Sequence, residues 1–485
     1  MAERKRLGDV FIRRPLKLPI RLRPTLGVPG LFSTAYGDVG SSIYYALGVV
    51  AMSALGLTPA VLMVSGVIFL FTGLTYAEGA AALPEAGGSG AFARRAFNDL
   101  ASFIASWVLM MDYIVTISIS AFSAANYLRY FFPLLGSWPE NSIVGVGVVG
   151  GLVFINILGI RQSSRLNMTL VLIDILTQVS IAVVGVLFII SLPQLIHNIH
   201  WGTAPTTSQL LFGISISMVA YTGIETVANL GSETRQPSKS IPRAVILVFF
   251  TVIALYAFLS MTALSAYPVH QSADGQWVTD LTQKYLEDPI MGITYAMPAN
   301  IQPILSFWVA ILAVTILIIA TNAGLLGVSR LAYFMGQRQQ LPPVISHVSS
   351  RSRVPINAIL MFAVVACVLI LTGKVTLLVD LYAFGAMLAY TAAHVSIIAL
   401  RVKEPNLPRP FKIPLSIRIR QKEIPITALI GGLATITTWF IVVYTHHIGR
   451  IVGFAWIGVG LVIYILYRRS KHQPIIGLGE TKPRT

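Results

Sequence analysis

Apolar residues run in long blocks along nearly the whole chain, separated by short gaps that hold most of the charge. Twelve blocks stand out, at 30–56, 60–83, 100–131, 141–160, 168–192, 209–230, 243–266, 303–333, 356–372, 375–402, 424–444 and 450–467. A helix needs roughly 20 apolar residues to cross the hydrocarbon core of a bilayer. The pattern therefore predicts an all-α polytopic membrane protein with 12 transmembrane helices. Blocks as long as 30–56 exceed one straight crossing, which implies tilt, a break or an extension beyond the bilayer.

The gaps orient the chain. Twelve crossings put both termini on one side. That side takes 31 of the 35 Lys and Arg residues, and the other takes only Arg129, Lys284, Lys374 and Arg450. Basic loops face the cytoplasm, so both termini are expected there, in a multi-pass protein of the cell (plasma) membrane. The basic N-terminal arm, residues 1–29, lacks a short apolar stretch followed by a small-residue cleavage site. It reads as a topology anchor on anionic lipid and not as a secretory signal. The tail, residues 468–485, is expected to be cytoplasmic and too short for a soluble domain. The longest outer loop, about residues 267–302, carries Asp274, Asp280, Glu287 and Asp288 and is expected to form a solvated cap.

Composition narrows the classes. Of 485 residues, 55% are hydrophobic and 11% charged, and the mean hydropathy is +0.75. A soluble domain carries about 25% charged residues, so a soluble enzyme is excluded. A net charge of +16 would suggest nucleic acid on a soluble protein. Here the basic residues sit in the gaps, with no basic stripe and no nucleic-acid motif. The single cysteine, Cys367, excludes an internal disulfide. The chain has no Walker motif, no nucleophile–base constellation and no His/Cys cluster at metal-site spacing. No cofactor is expected, and ATP-driven transport is disfavoured.

Two blocks carry matching interruptions. The first contains Ala35-Tyr36-Gly37-Asp38-Val39-Gly40-Ser41-Ser42, and the sixth contains Ala220-Tyr221-Thr222-Gly223-Ile224-Glu225. Each sets small residues and one carboxylate in mid-span. Gly37, Gly40 and Gly223 each weaken a helix by about 1 kcal/mol relative to Ala. One such pair is equally explained by close helix packing. Two, five helices apart, predict broken helices 1 and 6 with a substrate site between them. They imply a repeat of five plus five helices, residues 30–192 and 209–402, followed by two extra helices at 424–467.

Five acids lie deep in apolar blocks: Asp38, Glu78, Asp112, Asp174 and Glu225, with Asp380 near a helix end. An Asp at the centre of a span costs about 2.5–3.5 kcal/mol on an insertion scale. No Lys or Arg lies in mid-span to pair with them. Some are therefore expected to be neutral, and others to meet a cation that is not part of the protein. Asp112, Thr116 and Ser120 fall at i, i+4 and i+8 and share one helix face. Their hard oxygens suit alkali cations and protons, although Ser and Thr also bond back to helix carbonyls. Asp38 and Tyr45 share a face across the first break, and Thr222 precedes Glu225 by one turn. Glu225 is the candidate proton carrier, with Glu78 and Asp174 behind it. Asp174 is equally readable as a packing or gate residue against Gln178, and Glu78 as a partner of loop donors or water. His394 reads as a satisfied core residue.

Several stretches resemble the amino acid–polyamine–organocation (APC) superfamily of permeases. They are Leu83-Pro84-Glu85-Ala86-Gly87-Gly88-Ser89-Gly90, Glu225 through Pro242, Asn322 through Pro343, and Arg409-Pro410-Phe411-Lys412-Ile413-Pro414. The resemblance implies the LeuT-type 5+5 inverted repeat and secondary active transport, often proton-coupled. Asp38…Ser41-Ser42…Tyr45, Asp112-Tyr113…Thr116…Ser120, Thr222-Gly223-Ile224-Glu225 and Leu381-Tyr382-Ala383-Phe384-Gly385 are similar to KimA-type potassium importers of the KUP-related group. That likeness implies that Asp38, Tyr45, Asp112, Thr116, Ser120, Thr222 and Tyr382 ligate a cation and that Glu225 couples protons. Those importers also carry a cytosolic C-terminal domain, which does not follow Tyr467 here.

The expected function is proton-coupled import of a small cation, potassium first, by alternating access across the lipid bilayer. The alternative is an amino-acid or polyamine permease of the same fold. A channel or a transport-dead sensor forms a third class. The expected partners are the ion or small-molecule substrate, protons and lipid, with no nucleic acid. Oligomeric state is not legible.

Overall fold

A computed structural model describes residues 26–159, 164–349, 354–419 and 422–477. The arm before residue 26 and the end of the tail lie outside the described residues. Among these, ten helical stretches are long and apolar enough to cross a membrane, so the chain is a multi-pass membrane protein. The count differs from twelve for two physical reasons. Val28–Ala82 is one helical stretch of 55 residues, about 80 Å at 1.5 Å per residue, which far exceeds one crossing of about 30 Å. It is divided where Leu55 adopts φ 46°. Ile356–Ile370, in the block read as 356–372, has only 15 helical residues.

In chain order the helices are α1 (Val28–Val39), α2 (Ile43–Ala54), α3 (Thr58–Ala82), α4 (Ser89–Ala96), α5 (Asp99–Tyr127), α6 (Glu140–Leu158) and α7 (Ser164–Phe188). Then follow α8 (Leu192–His197), α9 (Thr207–Ser217), α10 (Glu225–Asn229) and α11 (Pro237–Ala266). A hairpin, β1 (Val269–Gln271) with β2 (Trp277–Thr279), leads to α12 (Asp280–Lys284), α13 (Pro289–Tyr295), α14 (Gln302–Gln337), α15 (Pro343–Ser346), α16 (Ile356–Ile370) and α17 (Val375–Lys403). A second hairpin, β3 (Ser416–Ile419) with β4 (Lys422–Pro425), precedes α18 (Ile426–Thr445) and α19 (His447–Ser470).

Helix α5 forms the centre and packs against α14, α17, α6 and α16. Its most apolar window is 83% buried, against 22% for α19. Polar side chains on α5 are therefore enclosed by protein, and apolar ones on the outer helices, such as Phe154, Leu187 and Leu466, are exposed as lipid contact requires. α1 lies against α11 and α7, and α2 against α9.

The 267–302 segment corrects the expectation of a solvated cap in part: residues 273–276 are exposed, Asp274 among them, but much of the later portion is not. Ile290, Met291 and Asp288 are buried, and Asp288 is ion-paired with Arg129 beyond the end of α5. A Cβ on Gly48 would collide with the backbone of Leu286. Leu281, Ile290, Met291 and Ile293 supply the apolar surface that packs this segment onto the bundle.

Candidate functional site

The two interrupted stretches meet. Between α1 and α2, Gly40–Ser42 forms a single 3-10 turn. Between α9 and α10 a 3-10 turn at Met218–Tyr221 gives way to extended Thr222 and to Gly223 at φ 115°. Tyr256 of α11 clasps both: its hydroxyl hydrogen is shared between the carbonyls of Val39, 2.7 Å away, and Ala220, 2.9 Å away. The three glycines differ in what they do. Gly223 alone needs left-handed backbone. Gly40 makes room for the Tyr36 ring, which a Cβ would approach to 2.7 Å, and Gly37 lies inside continuous α1, against Ile319.

Around this junction the structure gathers Asp38, Asp112 and Glu225, exposed by 2%, 0% and 0%. Asp38 Oδ2 accepts a hydrogen bond from Thr226 Oγ1 at 2.6 Å. Glu225 Oε2 accepts from the Gly223 N–H at 3.1 Å and from the Tyr390 hydroxyl at 2.9 Å. Asp112 precedes Tyr113 on α5, and the Tyr113 hydroxyl accepts a hydrogen bond from the Asn229 side-chain amide at the end of α10. Asp38 Oδ1, both Asp112 oxygens and Glu225 Oε1 have no donor, and Ser120 Oγ has no partner either. Among the described residues no basic side chain pairs with any of the three acids. Buried charge is tolerated only when paired or hydrogen-bonded, so these orphaned oxygens mark a place built for something else.

The remaining expected site residues carry hydroxyls that pair separately. Tyr45 meets Ser42 at 2.8 Å. Tyr382 meets Thr116 at 2.6 Å, so α17 and α5 are linked. The Thr222 hydroxyl donates to the Val219 carbonyl. Three functional neighbours carry no clear mark in the sequence: Thr226, Tyr390 and Tyr256. The one available signal is that Tyr390 follows Tyr382 by eight residues, about two turns on one face.

Other acids leave the candidate set. Glu78 is bound by Arg401 through two 2.6 Å contacts and by the Ile413 N–H at 2.8 Å. This corrects the expectation that no basic residue reaches the deep acids: Arg401 closes α17 beside the end of α3. Asp174 accepts from Tyr44, Tyr36 and Gln178. Asp380 meets His446 at 2.6 Å. His394 sits between the hydroxyls of Thr72 and Thr75 as a core residue. Among the described residues no group of three or more His, Cys, Asp or Glu side chains is arranged to hold a metal ion.

Comparison with known proteins places this architecture. The amino acid permease family profile matches residues 26–467. The branched-chain amino acid permease BcaP of Bacillus subtilis is 24% identical over 461 residues, covering 90% of this chain and 91% of its own. The methylthioribose transporter of the same organism is 24% identical, again over 90% and 91%. The human cationic amino acid transporter 4 is 26% identical over 393 residues, 77% of this chain and 59% of that longer protein. With the family profile spanning nearly the whole helical bundle, the chain belongs to the amino acid permease family of the APC superfamily.

Proposed function

We propose that the chain is a secondary active amino-acid or polyamine permease whose passenger presents an ammonium group to Asp38, Asp112 and Glu225. The carrying observation is that four carboxylate oxygens in one buried cluster have no hydrogen-bond donor and no basic neighbour. A cationic nitrogen with several N–H groups satisfies them at once. Tyr45, Thr116, Ser120, Thr222 and Tyr382 line the passenger's path in this reading, and Glu225 couples transport to protons. The relatives' printed substrates include branched-chain and cationic amino acids and methylthioribose, so family membership alone leaves the passenger open.

The frame is alternating access between two inverted five-helix units, residues 30–192 and 209–402, with helices at 424–467 as an addition. Helices 1 and 6 are the broken pair, and 12 crossings place both termini in the cytoplasm. The uneven split of Lys and Arg supports that orientation.

One observation favours a second reading, a potassium ion held as in KimA-type importers. An amino acid brings a carboxylate that needs donors, and the Gly223 N–H at the second break is already taken by Glu225. A passenger without a carboxylate, whether polyamine or alkali cation, avoids that conflict. Uptake of labelled putrescine, arginine, leucine and rubidium into proteoliposomes separates the readings. The proposal expects at least one of putrescine, arginine and leucine to enter, since each presents an ammonium group. Rubidium uptake indifferent to all three supports the second reading, and entry of none of the four overturns both.

A further inference from the structure

We propose that Asn229 latches a buried turn after α3, residues 83–90, which closes the cytoplasmic side of the passenger's path, and that α10 ties this latch to Asp38. The inference rests on the function proposed above and deepens it, because it names what holds the site shut on one side and what releases it.

Connecting segments usually run over the surface, because buried backbone must find partners. Here Gly87 through Gly90 are buried. Gly87, at φ 123°, folds the chain in against α14, where a Cβ would sit 2.8 Å from the Phe334 ring. Two side chains pin the turn. Glu85 is ion-paired with Arg338, just past the end of α14. Asn229, 1% exposed at the end of α10, accepts the Gly87 N–H through Oδ1 at 3.1 Å. Its amide nitrogen donates to the hydroxyl of Tyr113 on α5. One acceptor and one donor bond fix the amide's orientation. The turn lies where α3 ends and α5 begins, the side of the bundle that the split of Lys and Arg assigns to the cytoplasm.

α10 connects the acid site to this latch. It is five residues long. Thr226 and Asn229 are three residues apart on it, so they share a face about 4.5 Å apart along the axis. Thr226 donates to Asp38 Oδ2 at 2.6 Å. One short helix therefore grips Asp38 with one side chain and the buried turn with another. Extended Thr222 and left-handed Gly223 precede it, a joint of the kind about which a short element swings as a unit. The orphaned Oδ1 of Asp38 meets the passenger first. A positive group there turns the carboxylate toward itself and away from Thr226. α10 then loses one of its two anchors, its swing draws Asn229 off Gly87, and the turn is released. Asn229 touches no passenger in this account and acts as a positioning residue.

The test follows labelling by a charged maleimide on the purified full-length protein carrying Cys367→Ser. The reporter is Ser89→Cys, at a position that is fully buried and whose oxygen has no hydrogen-bond partner. The control reporter is Ser123→Cys, equally buried toward the other end of α5. Without a passenger, Asn229→Leu and Thr226→Val should each speed labelling at 89 by about fivefold, the effect of one lost hydrogen bond on an opening equilibrium. The double variant should be no faster than Asn229→Leu alone, and labelling at 123 should not change. An unchanged rate at 89 in Asn229→Leu overturns the latch. An unchanged rate in Thr226→Val, or additive effects in the double variant, overturns the tie to Asp38. Equal acceleration at 123 means general loosening and overturns both. In the second arm putrescine, arginine, leucine or rubidium is added. At least one should speed labelling at 89 in the protein with native Asn229, and none should do so in Asn229→Leu. An equal response in the two overturns the coupling. If none of the four alters the rate while the variants behave as stated, the latch stands and the passenger assignment falls. Should Asn229→Leu not fold, Tyr113→Phe, which removes the acceptor of the Asn229 amide, takes its place.

Discussion

Gly223 holds its backbone against the carboxyl group of Asp38: a Cβ on Gly223 would sit 2.8 Å from the Asp38 carboxyl carbon and 2.9 Å from the Val39 nitrogen. Its φ of 115° is also one that side-chain-bearing residues rarely adopt. Gly223→Ala therefore strains the backbone and pushes the two interrupted stretches apart at the acid cluster. The expected loss is about 1–3 kcal/mol of stability, read as a lower melting temperature, together with loss of uptake. An alanine variant with wild-type melting and uptake would show that this approach is dispensable.

Tyr256→Phe tests the clasp between the same two stretches. The ring stays and the hydroxyl goes, which leaves the buried carbonyls of Val39 and Ala220 without that donor. Leaving buried acceptors unpaired costs about 1–3 kcal/mol. Thermal unfolding in detergent should show that loss, and uptake should slow. Full stability in the variant would mean that the breaks are held by packing alone.

Glu78 and Arg401 form a structural pair 323 residues apart in the chain, both exposed by 2% or less. Breaking a buried pair from one side costs about 3–5 kcal/mol. Glu78→Gln and Arg401→Met should each destabilise strongly, and the double variant should lose less than the two single losses combined. Glu78→Gln protein that does fold should keep its dependence on the proton gradient. Loss of that dependence with normal stability would return Glu78 to the coupling machinery.

Asp288 predicts a pH effect outside the membrane-spanning helices. Burial pushes its carboxyl from the ordinary 3.8 up to about 7, against the pull of Arg129 and with added repulsion from Glu287. The folded protein thus holds this proton more tightly than the unfolded chain does. The resulting stability is fully present below about 3.8 and is lost as pH rises through about 7. The slope is at most about 1.4 kcal/mol per pH unit. Melting temperature of wild type should fall across this window relative to Asp288→Asn. Parallel pH curves for the two proteins would remove Asp288 as the source.

Much of this was legible in the sequence, for identifiable reasons. Apolar blocks must match the bilayer, so the helices around Asp112 or Glu225 are readable from length alone. Carboxylates are costly in such blocks, so Asp38, Asp112 and Glu225 stand out, and the structure does gather them. Thr226, Tyr390 and Tyr256 were not legible because hydroxyls and aromatics are ordinary in apolar helices, and only tertiary placement aims them at an acid or a carbonyl. The pairing of Glu78 with Arg401 was hidden by sequence distance. Loop acids suggested solvent over 267–302, but the apolar residues beside them won, and burial carried Asp288 inward with Arg129.

The central claim is that the unpaired acids receive a positive group that the protein itself does not supply. Uptake of labelled putrescine, arginine and rubidium into proteoliposomes by wild type and Asp112→Asn, at matched amounts of folded protein, tests it most directly. The account predicts that wild type accumulates at least one of these cations and that Asp112→Asn accumulates none. Equal uptake by the two proteins, or uptake of none of these cations by wild type, would contradict it.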